Sequence, residues 1–489
     1  MAGEIVAALL GALVVVGGLA WLMRRQPDAF PLLAISALPF RLPVSADGRT
    51  VNLLIPLYLV VAAGTLAQLA PRLLGHGVEG SRDAAGCPGR SRRRYRSEIT
   101  GSPIGQQELA YGSPAKISAW CSPRGLEWLL FGAVALYALQ GTYSSDHAKA
   151  AENVAFFYVP FGLLFLLLRD VKWTRGLALA CLGVAVALAV AFAGVGFVEY
   201  ARKEVFLNPK VVAANQYDNY FRVNSLFFDP NVYGRFLALV MIAVTTVVLW
   251  SHRRRDVLIG AGVLAWLLGG LVTSFSQSSI AALLLGLAVL AAYRWDVRAT
   301  VYVALGLVAI GGVIVFAAPA SLHFGLRGSG GSASNATSGR TKLISGGFGL
   351  FAGRPLYGYG SGSFETEYKL HGKTTTEKTT ENATSASHTI PVTVAAEQGI
   401  LGVAVYVALL IAAFAVLFRG AGRSPPRIAL AACFAALVLH TWTYADFLED
   451  PVTWTLLGIG VAFARAGPSF WETREPVAST GLAGAGHGS

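Results

Sequence analysis

The feature that most constrains this chain is the recurrence of apolar stretches long enough to cross a lipid bilayer. They lie at about 4–23, 28–40, 53–70, 125–141, 151–168, 175–198, 231–250, 257–273, 279–293, 299–318, 389–418, 427–445 and 452–465. A spanning helix needs about 20 residues, or about 17 where the bilayer thins. By that standard 28–40 is short and reads as re-entrant or half-buried, which leaves about twelve or thirteen spans. Only helices and closed barrels satisfy their own backbone in hydrocarbon, so the expected fold class is an all-α polytopic membrane protein. Composition agrees. Hydrophobic residues make up 54% and charged residues 13%, against about a quarter charged in soluble domains, and the mean hydropathy is +0.55.

Charge then orients the spans. The first apolar stretch is followed, not preceded, by Arg24 and Arg25, so it reads as a span rather than a cleaved leader. A net charge of +12 would suit a nucleic-acid partner, but the basic residues sit mostly between spans. That is the pattern of loops retained on the cytoplasmic side, and no nucleic-acid partner is expected. Loop 71–124, with Arg90, Arg92, Arg93, Arg94 and Arg96, reads as a disordered cytoplasmic loop. Arg169–Arg175, His252–Arg255, Arg294–Arg298 and Arg419–Arg427 fall on the same side, each two spans from the next. Loops 199–229, 319–388 and 446–451 are then outside, and the Gly/Ala/Ser-rich tail 466–489 inside. The expected organisation is N-terminal spans 1–70, the basic loop 71–124, a central bundle 125–318, an outer loop 319–388 carrying short helices, C-terminal spans 389–465 and the tail 466–489. Cys87, Cys121, Cys181 and Cys433 show neither metal spacing nor a disulfide framework, and no metal or cofactor is expected.

The outer loops carry the polar weight. About seventy mostly polar residues between two spans suggest a function, and the loop's basic residues oppose the insertion bias, as an anionic ligand would explain. Glu365, Glu367, Glu377 and Glu381 equally allow a solvated, balanced loop. Asp229 and Pro230 read as an N-cap and first helical residue, which puts Arg222 just above the outer face. An arginine fork suits phosphate because it donates two hydrogen bonds and stays charged. Arg235, about one and a half turns into the span, is costly there unless it lines a wet cavity or reaches outward; the outward reach is the expectation. The hairpin Thr273-Ser-Phe-Ser-Gln-Ser-Ser279 reads first as a structural joint whose hydroxyls serve helix ends. In the long loop, Arg340 opens a partly apolar segment, Thr341–Phe351, that suits a short interfacial helix. Arg354-Pro-Leu-Tyr-Gly-Tyr-Gly360 is a glycine-rich turn with Tyr357 and Tyr359, but no Gly-Lys-Ser/Thr follows and no strand precedes, so it is neither a phosphate loop nor a dinucleotide fingerprint.

His388 stands where the loop becomes a span, with Ser387 as a cap and Pro391 in the first turn. A neutral imidazole there suits a general base near pH 7, although a lone histidine is more often structural. At about 100° per residue Gly399 falls under His388 and Glu397 points away, so Glu397 is expected to tie this span to a neighbour.

Taken together, Arg222 with Asp229-Pro-Asn231, Arg340, Arg354-Pro-Leu-Tyr-Gly-Tyr-Gly360, and His388 ahead of Glu397-Gln-Gly-Ile-Leu-Gly402 resemble the bacterial O-antigen ligase/polymerase superfamily. The resemblance covers roughly 220–402. It implies a GT-C-like membrane glycosyltransferase in the bacterial inner membrane. Such an enzyme moves a glycan from an undecaprenyl-diphosphate donor to a lipid A-core, glycan or protein acceptor on the periplasmic face, without metal and with inversion. It also implies that Arg222, Arg340 and His388 are the essential set. Beside them, Arg354, Arg235, Tyr357 and Tyr359 are expected to bind substrate, and Asp229, Asn231, Glu397 and Gly399 to support the site. Thr389 stands where the family usually has Asn, and Gln277 where it commonly has Arg; the second departure leaves the hairpin's role open. A ligase, a polymerase and a protein O-oligosaccharyltransferase all fit. A transporter or flippase of about a dozen spans is the competing class, but it would place ionisable groups near the midplane, whereas here the polar weight lies at one face.

Overall fold

The computed structural model describes residues 2–46, 49–69, 120–207, 221–295, 332–371, 389–444 and 446–466. Most of the basic loop 71–124, the apolar stretch 299–318, His388 and nearly all of the tail lie outside the described residues.

The fold is helical and built for a bilayer. α1 (Ala2–Arg25), α2 (Ala29–Ala37) and α3 (Ile55–Gly64) form the N-terminal part. α4 (Pro123–Gly141), α5 (His147–Arg169, widened by a π turn at Val154–Tyr158) and α6 (Arg175–Arg202) follow. Then come α7 (Pro230–Trp250), α8 (Arg254–Thr273), α9 (Gln277–Arg294), α10 (Ser332–Gly353), α11 (Phe364–His371), α12 (Ile390–Phe418), α13 (Pro425–Thr443) and α14 (Pro451–Ala466). Among the described residues, seven helices (α5, α6, α7, α8, α9, α12 and α13) are long and apolar enough to cross a membrane. The chain is a multi-pass membrane protein.

One stretch is short, as the sequence suggested, and one helix is longer than expected. Stretch 28–40 is a nine-residue helix, α2, too short to cross at about 1.5 Å per residue. It buries Phe30, Pro31, Ala34 and Ala37 and runs into an antiparallel hairpin of β1 (Leu42–Ala46) and β2 (Arg49–Leu53), with Val44 opposite Val51. The helix expected at Thr341–Phe351 is longer, Ser332–Gly353, so Arg340 stands inside it rather than at its start.

Two apolar cores hold the helices. One joins α1–α5 and the start of α6 to α12, α13 and α14, around Phe30, Phe161, Phe434 and Trp454. The other centres on α7, whose Tyr233, Leu237 and Ile242 are fully buried among α6, α8, α9 and α13. Helix ends gather in two sets. At one end Glu127 binds both Arg169 (3.0 Å) and Arg465, and Arg419 reaches the Cys121 carbonyl. At the other end meet the α4–α5 loop, the segment before α7, the α8–α9 hairpin, the turn before α11 and the α13–α14 loop. The arginine-rich end and the polar site lie at opposite ends of the bundle.

Candidate functional site

Two groups of residues build that end. The first surrounds Arg222. Asp229 caps α7 by accepting from Asn231 N at 2.6 Å, with Pro230 in the first turn. This leaves the Asn231 side chain at the helix start, where its Oδ1 accepts from Arg222 Nη2 (3.3 Å) and from Ser276 Oγ (2.9 Å). Arg222 Nε also donates to the Ser274 carbonyl at 3.2 Å, and Val223 N to the Thr273 carbonyl at 3.2 Å. The half-buried guanidinium is thus held between the α7 cap and the α8–α9 hairpin.

The hairpin hydroxyls extend this network inward. Ser276 caps α9 through Ser279 N, and its hydroxyl lies 2.8 Å from Ser279 Oγ. Ser278 Oγ and Ser279 Oγ stand 3.3 and 3.2 Å from Nε2 of His440, a fully buried histidine on α13. One turn below Asn231, Arg235 does not reach outward as the sequence suggested. It is 2% exposed, and its Nη2 lies 2.7 Å from Asp450 Oδ2. A charge this deep is retained because an opposite charge meets it. Asp450 also caps α14 through Val452 N at 3.0 Å. Near it, desolvation raises the carboxyls of Asp446 and Glu449. Arg41 and Arg235 oppose the rise at Asp446, while Asp446 itself adds to that at Glu449.

The second group surrounds the glycine-rich turn. α12 is not continuous: Gly399 has φ 65° and ψ −161°, and the helix breaks there. Helical projection from His388 therefore does not carry past Gln398. The break frees backbone groups, and the turn 354–364 satisfies them. Tyr359 N donates to the Ala396 carbonyl (3.2 Å), Gly360 N to the Glu397 carbonyl (2.8 Å), and Ile400 N to the Pro355 carbonyl (2.8 Å). Gln140 Nε2 donates to the Gln398 carbonyl at 3.2 Å. The Glu397 carboxylate, 5% exposed, accepts from Gly362 N (2.9 Å) and Phe364 N (3.1 Å). Glu397 thus ties its span to the glycine-rich turn.

The turn's own side chains divide. Tyr359 is buried beside His371 and under the Arg354 guanidinium, 4.6 Å from its ring centre. Tyr357 is 53% exposed and meets Tyr143, whose hydroxyl donates to the Tyr357 carbonyl at 2.7 Å. Arg340 lies on α10, which runs directly into this turn at Gly353. α10 packs on α12 through Leu343, Leu350 and Ala396. Among the described residues no three His, Cys, Asp or Glu side chains gather as a metal site.

Arg222, Asn231 and Asp229 therefore share one network, and Arg354, Tyr359, Glu397 and Gly399 share the other. Sequence reasoning missed Asp450, His440, Gln140 and Glu199. Asp450 carried a faint signal as an acidic residue before a helix-starting proline; the others carried none.

Residues 262–407 match the family model described as O-antigen ligase. Over those residues the chain is similar to the O-antigen ligase family. A search of curated proteins found no match. The O-antigen ligase match spans the α8–α9 hairpin, Arg340, the glycine-rich turn, His388 and the break in α12. It ends before His440 and Asp450 and begins after Arg222 and Arg235.

Proposed function

We propose that the chain transfers a glycan from undecaprenyl diphosphate to an acceptor at the periplasmic face of the bacterial inner membrane, as an O-antigen ligase does. The observation that carries this reading is the family match over residues 262–407. The polar network around Arg222 supports it, because a diphosphate at the membrane surface calls for a fixed arginine fork. In the proposed step an acceptor hydroxyl attacks the anomeric carbon from the face opposite the carrier. The bond from that carbon to the phosphate oxygen breaks, its electron pair stays on the diphosphate, and the configuration inverts. Arg222 and Arg340 stabilise the charge growing on the leaving group, an effect worth several kcal/mol. His388 takes the hydroxyl proton, worth about 10²–10⁴-fold. Arg354 and the exposed Tyr357 contact the glycan, and no metal is needed. Loop 319–388 is the catalytic loop, and loop 71–124 faces the cytoplasm.

The test is transfer by purified protein from a synthetic undecaprenyl-diphosphate glycan to lipid A-core, with EDTA present. Product from the wild type, with His388→Ala reduced about 100-fold or more, is the expected result. Longer carrier-linked glycan without core attachment makes the protein a polymerase of the same superfamily. Transfer to a supplied protein substrate makes it an O-oligosaccharyltransferase. No consumption of carrier lipid with any acceptor rejects the reading.

A further inference from the structure

Glu199 is a carboxylate near the end of an otherwise apolar spanning helix, α6, and it is fully buried. Burying a carboxylate is costly unless its oxygens are filled by donors. Among the described residues Glu199 has no ion-pair partner. Its donors are backbone amides of the outer segment that carries Arg222: Ser225 N lies 2.7 Å from Oε2, and Phe206 N lies 3.1 Å from Oε1. One side chain thus joins the beginning of this segment to its end.

The geometry at Ser225 shows how firmly the segment is held. Ser225 has φ 52°, a left-handed conformation that a residue with a Cβ adopts only at an energetic cost. Such a backbone persists only where its surroundings over-determine it. Here the Ser225 amide goes to Glu199 and its hydroxyl donates to the Phe192 carbonyl at 2.8 Å, so both anchors stand on α6. Arg222 lies three residues earlier, and the fixed backbone aims its guanidinium at Ser274 and Asn231.

We infer that Glu199 is a positioning residue for Arg222: by holding the backbone at Phe206 and Ser225 it fixes where the guanidinium stands over the α7 cap. This rests on the reading that Arg222 grips the donor's diphosphate. A carboxylate can accept both amides at once. Glutamine can accept one and sets its own N–H groups against the other.

The experiment is a double-mutant cycle in the transfer assay on full-length protein, read as kcat/KM for the carrier-linked glycan, with cooperative thermal unfolding in detergent as the folding check. Glu199→Gln is expected to lower kcat/KM about 10–100-fold in the wild type but less than about 3-fold in an Arg222→Lys background, because the group it aims has already been blunted. Hydrogen exchange at Phe206 and Ser225 should rise in Glu199→Gln. Equal losses in both backgrounds would mean a general structural role and overturn the inference, as would unchanged kcat/KM. Should Glu199→Gln fail to fold, Ser225→Ala, which removes only the hydroxyl anchor, is expected to show the same background dependence on a smaller loss; a background-independent loss again overturns it. Wild-type transfer that depends on Arg222 but not on Glu199 sinks this inference alone. Absence of wild-type transfer sinks the functional reading, and the inference with it.

Discussion

Two glutamates on spanning helices, Glu199 and Glu397, solve one problem with different surroundings. Each is buried, and each spends its carboxylate on two backbone amides of a segment between helices. At Glu397 the partner is a turn of glycines with positive φ, pressed so close to a broken helix that a Cβ at Gly358 would stand 2.2 Å from the Glu397 carbonyl oxygen. At Glu199 the partner segment takes its left-handed residue as Ser225 and is packed by the aromatic cluster of Phe192, Phe227, Tyr233 and Phe236. The first is backbone against backbone, where atoms cannot be added. The second is side chain against backbone, with an ion pair, Arg235–Asp450, at the start of the adjacent helix. Close backbone approach leaves a mark in the sequence because only glycine fits; an anchoring carboxylate leaves only one acidic letter.

That contrast can be broken at the ion pair first. Asp450→Ala strands the Arg235 guanidinium in a site where both side chains are 3% exposed or less. Removing one partner of a buried pair costs about 3–5 kcal/mol, and the thermal midpoint in detergent should fall accordingly. Replacing both, Arg235→Met with Asp450→Leu, should recover all but about 1 kcal/mol, the share of the lost α14 cap. If the double variant is as unstable as the single one, the pair is more than charge compensation.

On the glycine side, Gly358→Ala is expected to cost about 3 kcal/mol, combining overpacking with left-handed strain. Hydrogen exchange should rise at Tyr359, Gly360 and Ile400, whose amides form the seat. Retained protection with an unchanged midpoint would show that the turn does not depend on the close approach.

The last prediction concerns pH. Glu449 faces Asp446, Glu152 and Glu397 as like charges and Lys149 as the opposing one, and desolvation is the main cause raising its carboxyl above 4.5. An acid raised in the folded state binds more protons than when unfolded. Its contribution is therefore fully present below the unfolded value and is lost as pH rises through the folded one. Stability measured from about pH 4 upward should decline more steeply for the wild type than for Glu449→Gln. Identical slopes would refute the assignment.

Much was legible in sequence. Apolar length set the helical membrane class, and Asp229-Pro230 marked the start of α7. The ordered pieces Arg222, Arg340, the glycine-rich turn and His388 pointed to the family that the match over 262–407 supports. These signals are local, or depend on one solvent boundary, so periodicity and composition carry them. The break at Gly399, the Arg235–Asp450 pair, the buried His440 beneath the hairpin serines and the Glu199 anchor were decided only by tertiary structure. Each depends on which residue arrives from a distant helix: Glu199 and Ser225 are 26 positions apart, Ser279 and His440 161. Hydrophobic patterning says that a helix is buried, but not which neighbour buries it, and a charge inside an apolar span acquires its meaning only when that neighbour brings the donor or counter-charge.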